Sequence, residues 1–292
     1  VLIPEDFDSL AMVAAYYNIE RSMRFYERLG LPVESVLVTL ETYYWPELEM
    51  IEVEDDGYDV TDNAFYMYIS DDDRAFFVFS YDQFQWLPMA MNGGIMTHEY
   101  THAVFDALVH DPNRQLPMTA AGQNLLYGLN EGVADYMAVA RTGDPDYMEH
   151  SIHPGVFGIQ CNSATWKEVV RDASLDYHYL PGVDQAARST APEEFCPYDV
   201  GSFAAALFYA IAEELDGAGA AGEGASADAR ERVAGWLLGA LEDLGDELRA
   251  DFELHDLLTL FVGRIESDPD RELACGVIGE RYDLYFAEVD GC

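Results

Sequence analysis

Lysine is nearly missing from this chain. Of its 15 basic residues only Lys167 is a lysine, against 55 acidic residues, and the formal charge is −40. No basic stripe exists along which a phosphate backbone could lie, which excludes nucleic acid as a partner on Coulomb grounds. No run of about 18 uncharged apolar residues occurs, so no membrane-spanning helix is expected. The four cysteines, Cys161, Cys196, Cys275 and Cys292, contain no C-x-x-C pair, which argues against a cysteine-built zinc site. There is no internal repeat. The opening Val1-Leu2-Ile3-Pro4 carries neither a methionine nor a secretory signal, so a signal and a propeptide are expected to have preceded it.

Apolar and acidic residues dominate instead. With 292 residues, 50% of them hydrophobic, the chain can bury a large core as one bilobal unit or as two domains. The carboxylates are spread along the whole length, which favours a surface adapted to high salt (halophilic) over one built to attract cationic peptides or Ca²⁺. Two acidic spots, Asp55-Asp56-Gly57-Tyr58-Asp59 and Asp71-Asp72-Asp73, could take calcium, but their spacing lacks the loop pattern of a defined site and reads better as solvated turns. An even cysteine count in a processed chain suggests two disulfides and an oxidising, extracellular compartment. Pairing by proximity gives Cys161–Cys196 and Cys275–Cys292, one of the three connectivities that four cysteines allow; buried free thiols are the alternative.

Hydrophobic periodicity divides the chain. "SLAMVAAYYNIERSMRFYERLGLP" repeats apolar residues at intervals of three and four, a helix stopped by Gly30 and Pro32. "VESVLVTLETYYW" and the runs "NAFYMYIS" and "RAFFVFS" are β-branched and aromatic between acidic turns, hence strands of a mainly antiparallel sheet that ends near Tyr81. From Gly93 onward the strong patterns are helical, at 95–109, 123–140, 201–215, 228–244 and 252–266, with 216–229 a flexible loop. The expected architecture is α+β: a sheet-bearing N-terminal lobe (1–110) and a helical C-terminal lobe (111–292). The 95–109 helix lies at their junction, where clefts tend to form.

Inside that junction helix, "GGIMTHEYTHAVFDALVH" places His98 and His102 four apart, one turn above each other, with Glu99 on the flank. Two imidazoles so placed can share a metal ion, and the glutamate can reach a water on it. The bland alternative is a hydrogen-bonded helix face, and a third ligand must decide. It comes 29 positions after His102, where "LNEGVADYMAVA" sets Glu131 and Asp135 four apart on a second helix. Zinc hydrolases use three protein ligands and one open position, and His-His-Glu is one of the known sets. Asp135 can accept the outer N–H of a ligating histidine, and Asn130 can brace the other. Zn²⁺ is the expected cofactor.

With these pieces in place the sequence resembles a gluzincin metalloendopeptidase of the thermolysin and fungalysin kind. The resemblance rests on "HEYTH" and "NEGVAD", on "DNAFYMYISDDDRAFFVFS", which is similar to the edge strand bordering the cleft in thermolysin-like enzymes, and on the early helix "VAAYYNIERSMRFYERLGL". It covers about residues 7–210, with "HDPNRQLPMT" looking like an inserted loop before the third ligand. It implies a thermolysin-like bilobal fold and a secreted, monomeric endopeptidase that acts on polypeptides. Its own propeptide and Ca²⁺ are further candidate partners. By the resemblance, Asn63 and Ala64 bind substrate backbone as an added strand, unless Asn63 merely starts a strand after a turn. Arg171 grips the substrate carbonyl after the scissile bond, a surface salt bridge being the competing reading. Ile95 and Val170 line the pocket that favours a bulky hydrophobic residue after the cut.

The implied chemistry is attack by a metal-activated water, with Glu99 taking its proton and later passing it to the departing amine. The family's oxyanion-binding histidine has no counterpart. Aligning Gly201 of "CPYDVGSFAAALFYA" with the family glycine puts Tyr198 in that slot, either as a hydrogen-bond donor or as a ring packed beside Pro197. His150, His153 and His178 are the other candidate donors. Two further readings stand beside the endopeptidase. One is a catalytically impaired gluzincin-like binding module; the other is a zinc aminopeptidase, whose amine-gating glutamate is missing from "WLPMAMNGGIM".

Overall fold

A computed structural model describes residues 3–36, 40–45, 64–69, 74–80, 87–109, 118–151, 160–162, 165–166, 171–190, 195–217 and 224–292. The first helix, α1 (Phe7–Arg28), starts where Asp6 accepts the Ser9 N–H at 2.8 Å and the Ser9 hydroxyl takes the Asp6 N–H at 3.0 Å. This reciprocal cap satisfies two donors that have no partner inside the helix. A helical turn, α2 (Val33–Val36), stands where a strand was expected, and β1 (Leu40–Trp45) follows.

β2 (Ala64–Ile69) and β3 (Arg74–Ser80) complete a sheet of order β1-β3-β2. β2 runs antiparallel to β3, but β1 runs parallel to it, so the sheet is mixed and the expectation of a mainly antiparallel one is corrected. Chain length between strands explains both pairings. Only residues 70–73 separate β2 from β3, which forces a return, whereas the parallel partners β1 and β3 are separated by residues 46–73, long enough for a parallel connection.

The remainder of the described chain is largely helical: α3 (Gly93–Val109), α4 (Ala120–Thr142), α5 (Pro181–Ala187), α6 (Pro197–Asp216), α7 (Ala227–Glu247), α8 (Leu254–Gly263) and α9 (Asp268–Arg281). A small hairpin of β4 (Gln160–Asn162) and β5 (Thr165–Trp166) lies between α4 and α5. α5, α9 and this hairpin were not anticipated, and α7 begins inside the segment read as loop.

α3 is the central element, packed by α1, α4, α7 and β2. Tyr100 on α3 stacks on Tyr26 of α1 at 5.7 Å and meets Phe77 of β3 at 6.1 Å. Between α1 and α3 run two buried polar rungs, Ser22 to Thr97 at 3.0 Å and Tyr26 to Thr101 at 2.6 Å. A fully buried ring such as Phe105 contributes about 1.5–3 kcal/mol. One cluster of buried side chains extends from Ala15 to Val289. α4 and α6 touch backbone to backbone: a Cβ on Gly132 would lie 2.5 Å from the Gly201 carbonyl oxygen. Glycine at both positions thus brings the first turns of α6 against the turn that carries Glu131.

Cys275 and Cys292 are disulfide-bonded, tying α9 to the end of the chain at a Cα separation of 5.4 Å. Cys196 is buried and no described cysteine is free, while the side chain of Cys161, and with it the other expected pairing, lies outside the described residues. So do both acidic spots weighed for calcium. Among the described residues no helix is long and apolar enough to cross a membrane.

Candidate metal centre

A helix buried on nearly every side can carry polar groups only if they are paired, because an unpaired buried charge costs several kcal/mol. His98 and Glu99 are 3% and 5% exposed. The start of α3 is fixed by Asn92, whose side-chain oxygen accepts the N–H groups of Gly94 and Ile95 at 2.9 and 3.3 Å. Its amide donates to the Tyr147 carbonyl at 2.8 Å and the Ser151 hydroxyl at 2.9 Å, locking α3 onto the turn that follows α4. Gly94 lets the Tyr147 ring lie flat on the helix, since a Cβ there would stand 2.3 Å from it.

The sequence spacing then becomes geometry. Nε2 of His98 and Nε2 of His102 lie 3.0 Å apart; Glu131 places one carboxylate oxygen 3.4 Å from the first and the other 3.9 Å from the second. The outer nitrogens face oxygens: His98 Nδ1 lies 3.0 Å from Asp135 Oδ1, and His102 Nδ1 lies 2.9 Å from Asn130 Oδ1. A ring nitrogen facing an acceptor can donate to it, so with the Nδ1–H groups turned outward both Nε2 atoms are available to ligate. Ligand atoms of three side chains therefore lie close together, an arrangement that a metal ion can satisfy. Bonds of about 2.1 Å in a tetrahedron set ligand atoms roughly 3.4 Å apart, in line with the observed separations. His98, His102 and Glu131 can thus hold a metal ion.

Electrostatics agree with this. Burial pushes the Glu131 carboxyl up, but the hydrogen bond with His98 and the charges of His102 and Arg171 outweigh it and hold the group down at about 2. Burial and Arg171 pull His98 down, while the Asp135 and Glu131 acceptors prevail and raise it to about 9. The site therefore favours positive charge at His98. A metal ion supplies that charge as well as a proton does. Glu99 departs the other way: burial raises its carboxyl, only partly opposed by His98 and His102.

Arg171 is not a surface ion pair. Its side chain is 7% exposed. Nε donates to Asp135 Oδ2 at 3.0 Å, and Nη2 donates to Asp135 Oδ1 at 2.7 Å and to Glu131 Oε2 at 3.1 Å. The same guanidinium lies over the Tyr198 ring at 4.6 Å, so the first turn of α6 is joined to the ligand cluster. The Tyr198 phenol is pushed up by the Glu131 charge and then by burial, which keeps its proton in place. Ile95 is buried in the first turn of α3, and Ala64 opens β2, an edge of the sheet. Asn63, Val170 and His153 lie outside the described residues. Two candidate donors are engaged elsewhere: His150 with Asp144 at 3.2 Å, and His178 with Asp176 at 3.3 Å.

Two tyrosines join the cluster without having been anticipated. The Tyr147 hydroxyl donates to Asp135 Oδ1 at 2.6 Å and lies 3.3 Å from His98 Nδ1. Tyr127 stands one turn before Glu131, about half exposed, its phenol raised by burial and then by Glu131. Compared with known proteins, the chain matches no family model and no curated sequence, so the reading of this site rests on its own residues.

Proposed function

We propose that the chain is a zinc-dependent endopeptidase. The reading is carried by the convergence of His98, His102 and Glu131 with Glu99 buried beside them. When bound, zinc supplies a Lewis acid that polarises the scissile carbonyl and acidifies water. The remaining work belongs to the chain. Glu99, raised by burial, is a stronger base than an ordinary carboxylate; it takes the proton of the attacking water and returns it to the departing amine. Tyr198, protonated and held under Arg171, donates to the developing oxyanion. Arg171 keeps Glu131 and Asp135 in place and can present its remaining N–H groups to the substrate. The strand β2, beginning at Ala64 and paired with β3 on one side among the described residues, receives the peptide as an added strand, and Ile95 favours an apolar residue after the cut. The reading extends to a secreted enzyme with a salt-adapted surface.

The test is cleavage of a denatured protein mixture by zinc-loaded protein, beside Glu99→Gln. Wild type is expected to cut ahead of bulky apolar residues, and Glu99→Gln to keep its zinc while losing about 10²–10⁴ in rate. Proteolysis undiminished in that variant would remove Glu99 from the mechanism, and a wild type that holds zinc yet cuts nothing would overturn the endopeptidase reading.

A further inference from the structure

Side-chain contacts order α3 against α4. Gly93 and Thr97 accept from Arg141, His98 meets Asp135, and His102 meets Asn130. Rising numbers on α3 meet falling numbers on α4, so the two helices run antiparallel and the ligand group has two ends. Ile95 lies at the end where α3 begins, one turn before His98 and Glu99. Tyr127 lies at the other end, on the face of α4 that carries Glu131 and one turn before it. β2 packs on α3 at this second end, where Tyr66 is hydrogen-bonded to Asp106, one turn past His102.

Tyr127 is 52% exposed, and its hydroxyl makes no hydrogen bond among the described residues. The hydroxyls of Tyr26, Tyr136 and Tyr147, by contrast, are all bonded within the protein. Exposure alone would mean little, since single apolar side chains are scattered over any surface. The surroundings of this ring are different. Burial and then the Glu131 charge raise its phenol, Arg171 pulls against them, and Glu99 adds to the rise. A ring open to solvent yet close to three buried charged groups of the centre stands on the approach to it. Tyr198 is near enough on α6 for its phenol to feel Tyr127 as well.

We propose that Tyr127 is a specificity-determining residue, its ring a platform for a bulky apolar or aromatic side chain on the substrate residue before the cut. The inference rests on the endopeptidase reading. Successive side chains of an extended peptide point to opposite sides. With Ile95 meeting the residue after the cut, the residue before it turns toward the end that Tyr127 occupies. A tyrosine there offers a large contact area with few torsions to fix. The test separates binding from cleavage: zinc-loaded Glu99→Gln protein is titrated by calorimetry with two peptides that share leucine after the scissile bond and differ only in phenylalanine or alanine before it. The phenylalanine peptide should bind at least about tenfold more tightly. Adding Tyr127→Ala, which suits a helix, should erase that preference, and Tyr127→Phe should restore it. Tyr16→Ala, at an exposed ring on α1, should leave it in place. A preference kept in Tyr127→Ala would overturn the inference and leave the endopeptidase reading standing. Loss in Tyr127→Phe as well would assign the effect to the hydroxyl and overturn the platform. If neither peptide bound the Glu99→Gln protein, the endopeptidase reading itself would fail, and the inference with it.

Discussion

Charge is handled in opposite ways at the α3–α4 junction and along α7–α9. At the junction His98, Glu99, Glu131, Asp135 and the Arg171 side chain are nearly all removed from water, and each oxygen of Asp135 and Glu131 is met by a nitrogen. Along α7–α9 the ion pairs Arg232–Asp270, Arg249–Asp256 and Arg264–Asp243 lie at the surface, with arginine side chains 46%, 57% and 38% exposed. Exposed pairs contribute roughly 0–1 kcal/mol each, whereas burying ions costs several kcal/mol per ion before any attraction offsets it. A fold selected for stability alone would fill the junction with apolar side chains, as it does two residues along each helix at Val104 and Val133. Buried charge at that cost fits the proposed metal site, while the surface pairs serve solubility and local order.

The sharpest way to break this contrast is to remove one arginine from each region. Arg171→Met leaves two buried carboxylates without their cation and should destabilise the protein by about 3–5 kcal/mol. Arg249→Gln should cost less than about 1 kcal/mol. Denaturant unfolding decides, and similar losses for the two would erase the distinction.

Next in size is Tyr198→Phe, which removes one hydroxyl and keeps the ring under Arg171. The rate constant kcat should fall about 10²–10³-fold with KM nearly unchanged. If steady-state kinetics show a normal kcat, the ring is only packing. A smaller effect is expected for Asp135→Asn, which preserves shape but weakens the hold on His98 Nδ1–H; zinc affinity measured by chelator competition should drop by about 10–100-fold. Unchanged affinity would reduce Asp135 to a partner of Arg171 alone.

The smallest effect sits between the two regions, at Asp146. Burial, then the like charges of Asp172 and Glu149, raise its carboxyl from 3.8 to about 6. Between those values the folded state binds more protons than the unfolded chain, so this group's contribution to stability declines as pH rises through the window and stays low above it. Asp146→Asn should raise the melting temperature at pH 7 and change little below pH 4, by under about 1 kcal/mol since the group is partly solvated. A gain that is equal at both pH values would point to packing and not charge.

The four central residues were legible because helical periodicity converts spacing into proximity. His98 with His102, and Glu131 with Asp135, each fall one turn apart on long, strongly apolar helices. Tyr127 obeys the same rule, four before Glu131, and a stricter use of it would have found the residue. Tyr147 does not. It lies in an irregular turn after α4, where no period maps sequence onto space, and its place is set by Asn92 and Gly94 far away in the chain. The brace formed by Arg171 is equally non-local, since its partners lie 36 and 40 residues earlier. The parallel pairing of β1 with β3 depends on the path between strands and not on their composition. α9 had readable ends, Ser267 before Pro269 and Arg281 in its last turn, but its buried stripe is only Ala274, Val277 and Ile278, too thin to announce a helix by periodicity.

The central claim is that the buried polar face of α3 and α4 exists to hold a metal ion. Metal analysis of purified wild type beside His102→Ala and Glu131→Gln tests it most directly. One zinc per chain in wild type, lost or strongly weakened in both variants, is the expected result. A wild type that takes up no stoichiometric metal, or variants that retain it in full, would contradict the account.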